Sequence, residues 1–118
     1  QVRLRAERLG ALVDGVWLAG DADLNVVVGH LDRLEPDVLV VDSIQTVYDP
    51  AIGGLPGSTT QVRGCAHRLV GEARRRGTTT VLVGHVTKEG SLAGPKVLEH
   101  VVDTVVELTG DRHHALRL

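Results

Sequence analysis

Val38-Leu39-Val40-Val41-Asp42-Ser43 decides how this chain is read. Four apolar residues end in a carboxylate, directly after the turn-forming Glu35-Pro36-Asp37. A short apolar run bounded by turn signals reads as a strand buried on both faces of a parallel sheet. Ligands of such sheets bind beyond the carboxyl ends of the strands. Asp42 therefore stands where a nucleotide-bound Mg²⁺ can be held, and the run has the shape of a Walker B element. An Asp that caps the turn after a core strand fits the same residues. A second apolar run, Thr80-Val81-Leu82-Val83-Gly84-His85, also ends in a polar side chain and tips the balance toward a ligand site.

Outward from these two runs, β and α patterns alternate, as in an α/β sheet with crossover helices. Residues 1–9 read as the end of a helix stopped near Gly10, and Val16 to Ala19 as a short strand. Asp21 or Asp23 can cap a helix with Leu24, Val27, Val28, Leu31 and Leu34 on one face. Residues 49–57, Asp-Pro-Ala-Ile-Gly-Gly-Leu-Pro-Gly, form a loop. Ser58 or Thr59 then caps a helix whose apolar face is Val62, Cys65, Ala66, Leu69, Val70 and Ala73, and Gly77 ends it. A second glycine-rich stretch spans residues 87–95. A short helix around Val97 to His100 leads to a strand from Asp103 to Leu108, a turn at Asp111 to His114, and a further strand starting at Ala115.

Composition narrows the function. The chain has 118 residues, enough for one domain or part of one. A hydrophobic fraction of 42% argues against disorder. Trp17 and Tyr48 are its only aromatic residues, which disfavours a module that stacks bases on aromatics. The net charge of −2 gives no global basic field, so nucleic-acid contact needs a local patch. The single Cys65 excludes an internal disulfide or a cysteine-rich zinc site and fits a reducing, cytoplasmic setting. No signal peptide or membrane-length apolar run is visible. Because Gln1 falls inside a helical pattern, the chain is expected to be an internal piece of a longer protein.

A phosphate loop of the form Gly-x-x-x-x-Gly-Lys-[Ser/Thr] is absent from the sequence. Gly53-Gly54-Leu55-Pro56-Gly57-Ser58-Thr59 precedes a helix and offers backbone amides to an anion, but it has no Lys. A mobile loop is the expectation there. His85 can report on a phosphate by hydrogen bonding, or it is a satisfied histidine at a strand corner. Lys88 and Lys96 put two cations on one loop, suited either to solvent or to a phosphate backbone. His113-His114 cannot easily share a metal ion if extended, since adjacent strand residues face opposite ways. Cys65 belongs to a core face, and Arg74-Arg75-Arg76 suits a solvated helix end.

Longer strings are more specific. Leu39 to Thr46 (Leu-Val-Val-Asp-Ser-Ile-Gln-Thr), Gly84 to Gly90 (Gly-His-Val-Thr-Lys-Glu-Gly), Ala93 to His100 (Ala-Gly-Pro-Lys-Val-Leu-Glu-His) and Gly110 to His114 resemble the bacterial RadA (Sms) family of DNA repair proteins. Gln1 to Gly10 resemble the helix after that family's second core strand. The resemblance covers nearly the whole chain, and the string from His85 to His100 goes well beyond a generic Walker B pattern. It sets the chain apart from the archaeal recombinase of the same name and argues against clock-type or recombinase-type RecA-like ATPases.

The resemblance implies an α/β fold: a partial RecA-like P-loop NTPase core over residues 1–118, a mostly parallel sheet with flanking helices, its Walker A strand absent. It implies an ATP-driven motor on single-stranded DNA, acting as a hexamer in DNA repair, recombination and branch migration, with the recombinase RecA as a partner. ATP and Mg²⁺ are the implied cofactors, with zinc confined to an amino-terminal four-cysteine module outside this chain. By the same resemblance Asp42 is the Walker B carboxylate that holds Mg²⁺ through water, and Ser43 its companion at the nucleotide. His85 takes the γ-phosphate switch position, where RecA carries Gln. Residues 49–61 and 87–97 take the places of DNA-facing loops, with Lys88 and Lys96 as DNA contacts. The family's catalytic carboxylate, its Lys-Asn-Arg-Phe-Gly motif and its protease-like domain are not found in this sequence. The family sheet would place absent strands beside those at 16–19, 38–42, 80–84 and 103–108, leaving unpaired edges. The isolated chain is therefore expected to be inactive and a poor folder. The alternative reading is a non-catalytic DNA-binding or subunit-assembly module of RecA-like fold.

Overall fold

The computed structural model describes residues 2–85 and 97–107. Helix α1 spans Val2–Arg8. Gly10, at φ 63°, turns the chain out of it, in the left-handed region that glycine enters without a Cβ penalty. Helix α2, Leu24–Leu34, starts at Asp23, whose carboxylate accepts from the Asn25 amide at 2.8 Å. That bond satisfies one of the free donors of the first turn. Pro36 bars the helix from continuing. Strand β1 is Val38–Asp42, followed by a single 3₁₀ turn at Ile44–Thr46.

Helix α3, Thr59–Arg76, is capped by the Ser58 hydroxyl, which accepts from the Gln61 amide. It ends at Gly77, again left-handed at φ 73°. Strand β2, Thr79–Val83, then returns parallel to β1, with Val38 opposite Thr79 and Asp42 opposite Val83. Thr78 Oγ1 donates to Pro36 O and Thr79 N to Asp37 O, so the two strands enter the sheet together. The result is α/β: a parallel pair with flanking helices, in keeping with a partial RecA-like core.

One apolar core underlies this arrangement. Val62, Cys65, Ala66 and Leu69 of α3 pack with Leu24 of α2, Val41 of β1, Ile44, Val47 and Leu98. These α3 residues recur at helical spacing, so one stripe of the helix is removed from water. Burying each large side chain contributes about 1.5–3 kcal/mol.

Three expectations are corrected. First, β1 is not buried on both faces. Val41 faces the helices, while Val38 and Val40 are 55% and 61% exposed, because no described element packs on the opposite side. Second, residues 16–19 form no strand, and Val16, Trp17 and Leu18 are exposed. Third, residues 103–107 are irregular. Both segments lack a ladder partner among the described residues, and an extended segment without one leaves its amides to water. The expected helix at Val97 to His100 is a single turn, with Val101 N donating to Leu98 O at 2.8 Å. The features expected at residues 111–118 lie outside the described residues. Among the described residues no helix is long and apolar enough to cross a membrane.

Candidate nucleotide site at the strand ends

Parallel pairing brings the carboxyl ends of β1 and β2 to the same edge. Asp42 closes β1, and the chain leaves it through a cis peptide bond to Ser43. His85 lies two residues past Val83, the partner of Asp42. His85 Nε2 stands 3.9 Å from Asp42 Oδ1. Both side chains remain about two-thirds exposed, at 68% and 69%. Such a long, hydrated contact is worth only about 0–1 kcal/mol, so neither group is committed to the other. An open carboxylate beside an open imidazole can meet a polyphosphate and its divalent cation. Ser43, by contrast, is buried. Its carbonyl accepts from the Thr46 hydroxyl at 2.8 Å and the Thr46 amide at 3.1 Å, which fixes the turn behind Asp42.

Gln45, in that same turn, reaches across the gap. Its Nε2 donates to the His85 carbonyl at 3.2 Å. Its Oε1 is buried with no hydrogen-bond partner among the described residues. A stranded buried acceptor costs about 1–3 kcal/mol.

The glycine-rich loop after the turn is built differently. Gln61, buried in the first turn of α3, donates through Nε2 to the carbonyls of Asp49 (3.1 Å), Ile52 (2.6 Å) and Gly54 (3.4 Å). Its Oε1 accepts from the Asp49 amide at 3.0 Å. Asp49 is buried too; its carboxylate accepts from the Ala51 amide at 2.9 Å and from Arg68 at 2.7 Å. Those two bonds, the backbone one foremost, hold its carboxyl below the usual carboxylate range. Arg68 also donates to Asn25 Oδ1 at 2.9 Å and so ties the loop to α2. Ile52 sits where a Cβ on Gly64 would otherwise be. The foot of the loop is thus pinned, at odds with a segment free along its length. The tip stays open, with Leu55 80% exposed.

Comparison with known proteins places this architecture. Over all 118 residues the chain is 45% identical to the DNA repair protein RadA of Streptococcus pneumoniae. It is also 45% identical to the RadA protein of Bacillus subtilis, and 44% identical over 122 aligned residues to that of Mycolicibacterium smegmatis. This stretch of chain belongs to the RadA family. It spans 28% of the Streptococcus pneumoniae protein and 26% of the other two, about a quarter of their length. No protein-family profile matches it.

Against the RadA resemblance, the structure brings Asp42 and His85 together and sets Ser43 behind them. Lys88 and Lys96, with most of the loop at 87–97, lie outside the described residues. The arginines ending α3 are engaged within the chain: Arg75 and Arg76 with Glu72, Arg76 also with Asp32, and Arg74 with Asp103 at 2.6 Å. Arg74 and Arg75 stay exposed, as expected of a solvated helix end, whereas Arg76 is 11% exposed and held by its two carboxylates. Cys65 is buried, and burial pushes its thiol up, as suits a core residue. Among the described residues no group of three or more His, Cys, Asp or Glu side chains could hold a metal ion. His113 and His114 lie outside those residues. Sequence reasoning missed Gln45, Asp49, Gln61 and Arg68. Gln61 alone gave a local signal, a polar residue four before Cys65 on an otherwise apolar stripe.

Proposed function

We propose that residues 1–118 are the middle part of the ATPase core of a RadA-type DNA repair motor, one that hydrolyses ATP to move on single-stranded DNA in recombination and branch migration. The observation that carries this reading is the placement of Asp42 and His85 side by side at the carboxyl ends of adjacent parallel strands. The relatives' name, DNA repair protein RadA, supports the DNA side of it. Asp42 presents an exposed, hard oxygen donor, which fits a Mg²⁺ ion held through its water shell. Mg²⁺ bound with ATP would neutralise phosphate charge. Asp42 would hold such an ion through its water shell by its fixed negative charge. His85 offers a hydrogen bond to a phosphate oxygen and sits on the backbone that leads away from the site. Lys88 and Lys96 contact the DNA backbone, and the motor works as a hexamer that meets RecA during recombination. The isolated chain carries no Lys-bearing phosphate loop and is inactive by itself.

Asp42→Asn in the full-length protein tests the site. The change keeps shape and removes charge, so DNA-stimulated ATP turnover should fall by about 10²–10³-fold, the usual loss when one electrostatic group of a reacting centre is removed. Near-normal turnover at saturating Mg²⁺ would return Asp42 to the role of a turn residue. Lys88→Ala and Lys96→Ala should each weaken single-stranded DNA binding and flatten its salt dependence, by about 0.7 in slope per lost phosphate contact. An unchanged slope in both variants would leave these lysines as solvated surface.

A further inference from the structure

The inter-strand ladder ends at Asp42 and Val83. Past that point the backbone of β2 has no ladder to hold it, and Gly84 gives it wide conformational freedom. Yet His85 must keep a fixed place if its imidazole is to stay beside Asp42. The side chain cannot do this alone, because the contact with Asp42 is long and hydrated. The one described hydrogen bond that reaches His85 comes from Gln45, whose Nε2 donates to its carbonyl at 3.2 Å. Gln45 stands in the turn directly after Asp42 and Ser43. Its amide therefore continues the tie between the strands with a side chain where backbone pairing has run out.

The other half of the amide sharpens this. Gln45 Oε1 is buried and unpartnered among the described residues. A hydrocarbon side chain of equal length would fill the same space without stranding an acceptor. A polar group here is accounted for by the single bond it makes. That bond also fixes the amide's orientation, since the flipped form would set two acceptors, Gln45 Oε1 and the His85 carbonyl, against each other. Gly84 lies close by: a Cβ there would stand 3.7 Å from Gln45 Nε2, in ordinary contact.

We propose that Gln45 is a positioning residue, a strut between the turn behind Asp42 and the backbone of His85, through which nucleotide bound at the acidic strand end sets the place of His85. The proposal rests on the reading of Asp42 and His85 as a nucleotide site. Coupling between sites needs an element that both can bias. The Gln45 strut makes the turn and the end of β2 one such element.

The test uses the full-length protein, Mg²⁺ with a non-hydrolysable ATP analogue, and a labelled oligothymidylate. Gln45→Met keeps the length and loses the donor; Gln45→Glu keeps the shape and offers only acceptors. In Gln45→Met nucleotide affinity and melting temperature should stay near wild type; in Gln45→Glu the melting temperature should also fall, because a carboxylate oxygen is set against the His85 carbonyl. The nucleotide-induced gain in DNA affinity, on the order of 5–150-fold for coupled sites, should fall toward onefold. If both variants keep the wild-type gain while His85→Ala loses it, the strut is refuted and the site reading stands. If His85→Ala keeps the gain as well, the site reading fails and takes the strut with it. A parallel fall of melting temperature, nucleotide affinity and DNA affinity in Gln45→Met, or failure of both variants to fold, assigns Gln45 to the scaffold and overturns the proposal.

Discussion

The two ends of the segment joining β1 to α3 solve opposite problems. At the strand end, Asp42 and His85 are exposed, lie 3.9 Å apart and, among the described residues, have one tether between them, the Gln45 amide. At the loop foot a few residues on, Asp49 and Gln61 are buried and answered on nearly every side. Hydrogen bonds that are saturated inside the fold hold shape and leave nothing for a ligand. Groups left half-answered at a surface do little for stability and are free to bind. The same short stretch of chain thus carries a scaffold and a candidate site, told apart by how completely their polar atoms are matched.

Gln61→Ala should break the scaffold half most severely. It removes the donor to three carbonyls and the acceptor for the Asp49 amide, in a place with little access to water. Leaving buried groups unmatched costs about 1–3 kcal/mol each, and partial rehydration of the loop limits the total to about 2–4 kcal/mol. Hydrogen exchange of the α3 amides in the full-length protein reads this as a local loss of protection. Protection unchanged within about 0.5 kcal/mol would mean that the loop foot contributes no stability, and the contrast with the strand end would collapse.

Asp49→Asn should act next most strongly, and its signature is pH. The Asp49 carboxyl is held below its ordinary value, by the Ala51 amide first and Arg68 second. A depressed carboxyl contributes stability that is fully present above its unfolded value, about 3.9. That contribution is lost as pH falls through the lower folded value. Wild type should therefore lose α3 protection across this acid range more steeply than Asp49→Asn, and the two should converge at its bottom. Parallel curves would show that Asp49 titrates alike folded and unfolded.

The unequal legibility of the chain follows the same division. Caps and helix faces are local, so Asp23, Ser58 and Gly77 and the stripe from Val62 to Ala73 could be read from spacing, with Val70 only half-buried. That Asp42 and His85 come to the ends of neighbouring strands was legible because a strand's end is marked in its own residues. The strands expected at 16–19 and 103–108 were misread over their described residues, 16–19 and 103–107, because a strand is completed by its neighbour, and residue pattern does not report whether the neighbour is there. The loop foot was illegible for a related reason. Asp49 meets Arg68 across 19 residues and Gln45 meets His85 across 40, and nothing in sequence marks such a polar pair.

The smallest expected effect is the sharpest check on the comparison. Asp42→Asn, His85→Ala and the double variant form a thermodynamic cycle for the pair at the strand end. A contact 3.9 Å long between two largely exposed side chains should show a coupling energy of about 0–1 kcal/mol, near the low end at physiological salt. Each single change should leave stability within about 0.5 kcal/mol, since neither removes a buried group. Measured by the same hydrogen-exchange readout, a coupling well above 1 kcal/mol would make the pair a structural ion pair like that of Asp49 and Arg68. The carboxylate would then be committed inside the fold, and a ligand would have to compete for it. A coupling near zero, beside a large loss of turnover in Asp42→Asn, would separate the two roles: charge held open at the strand end for binding, with folding left to the saturated foot of the loop.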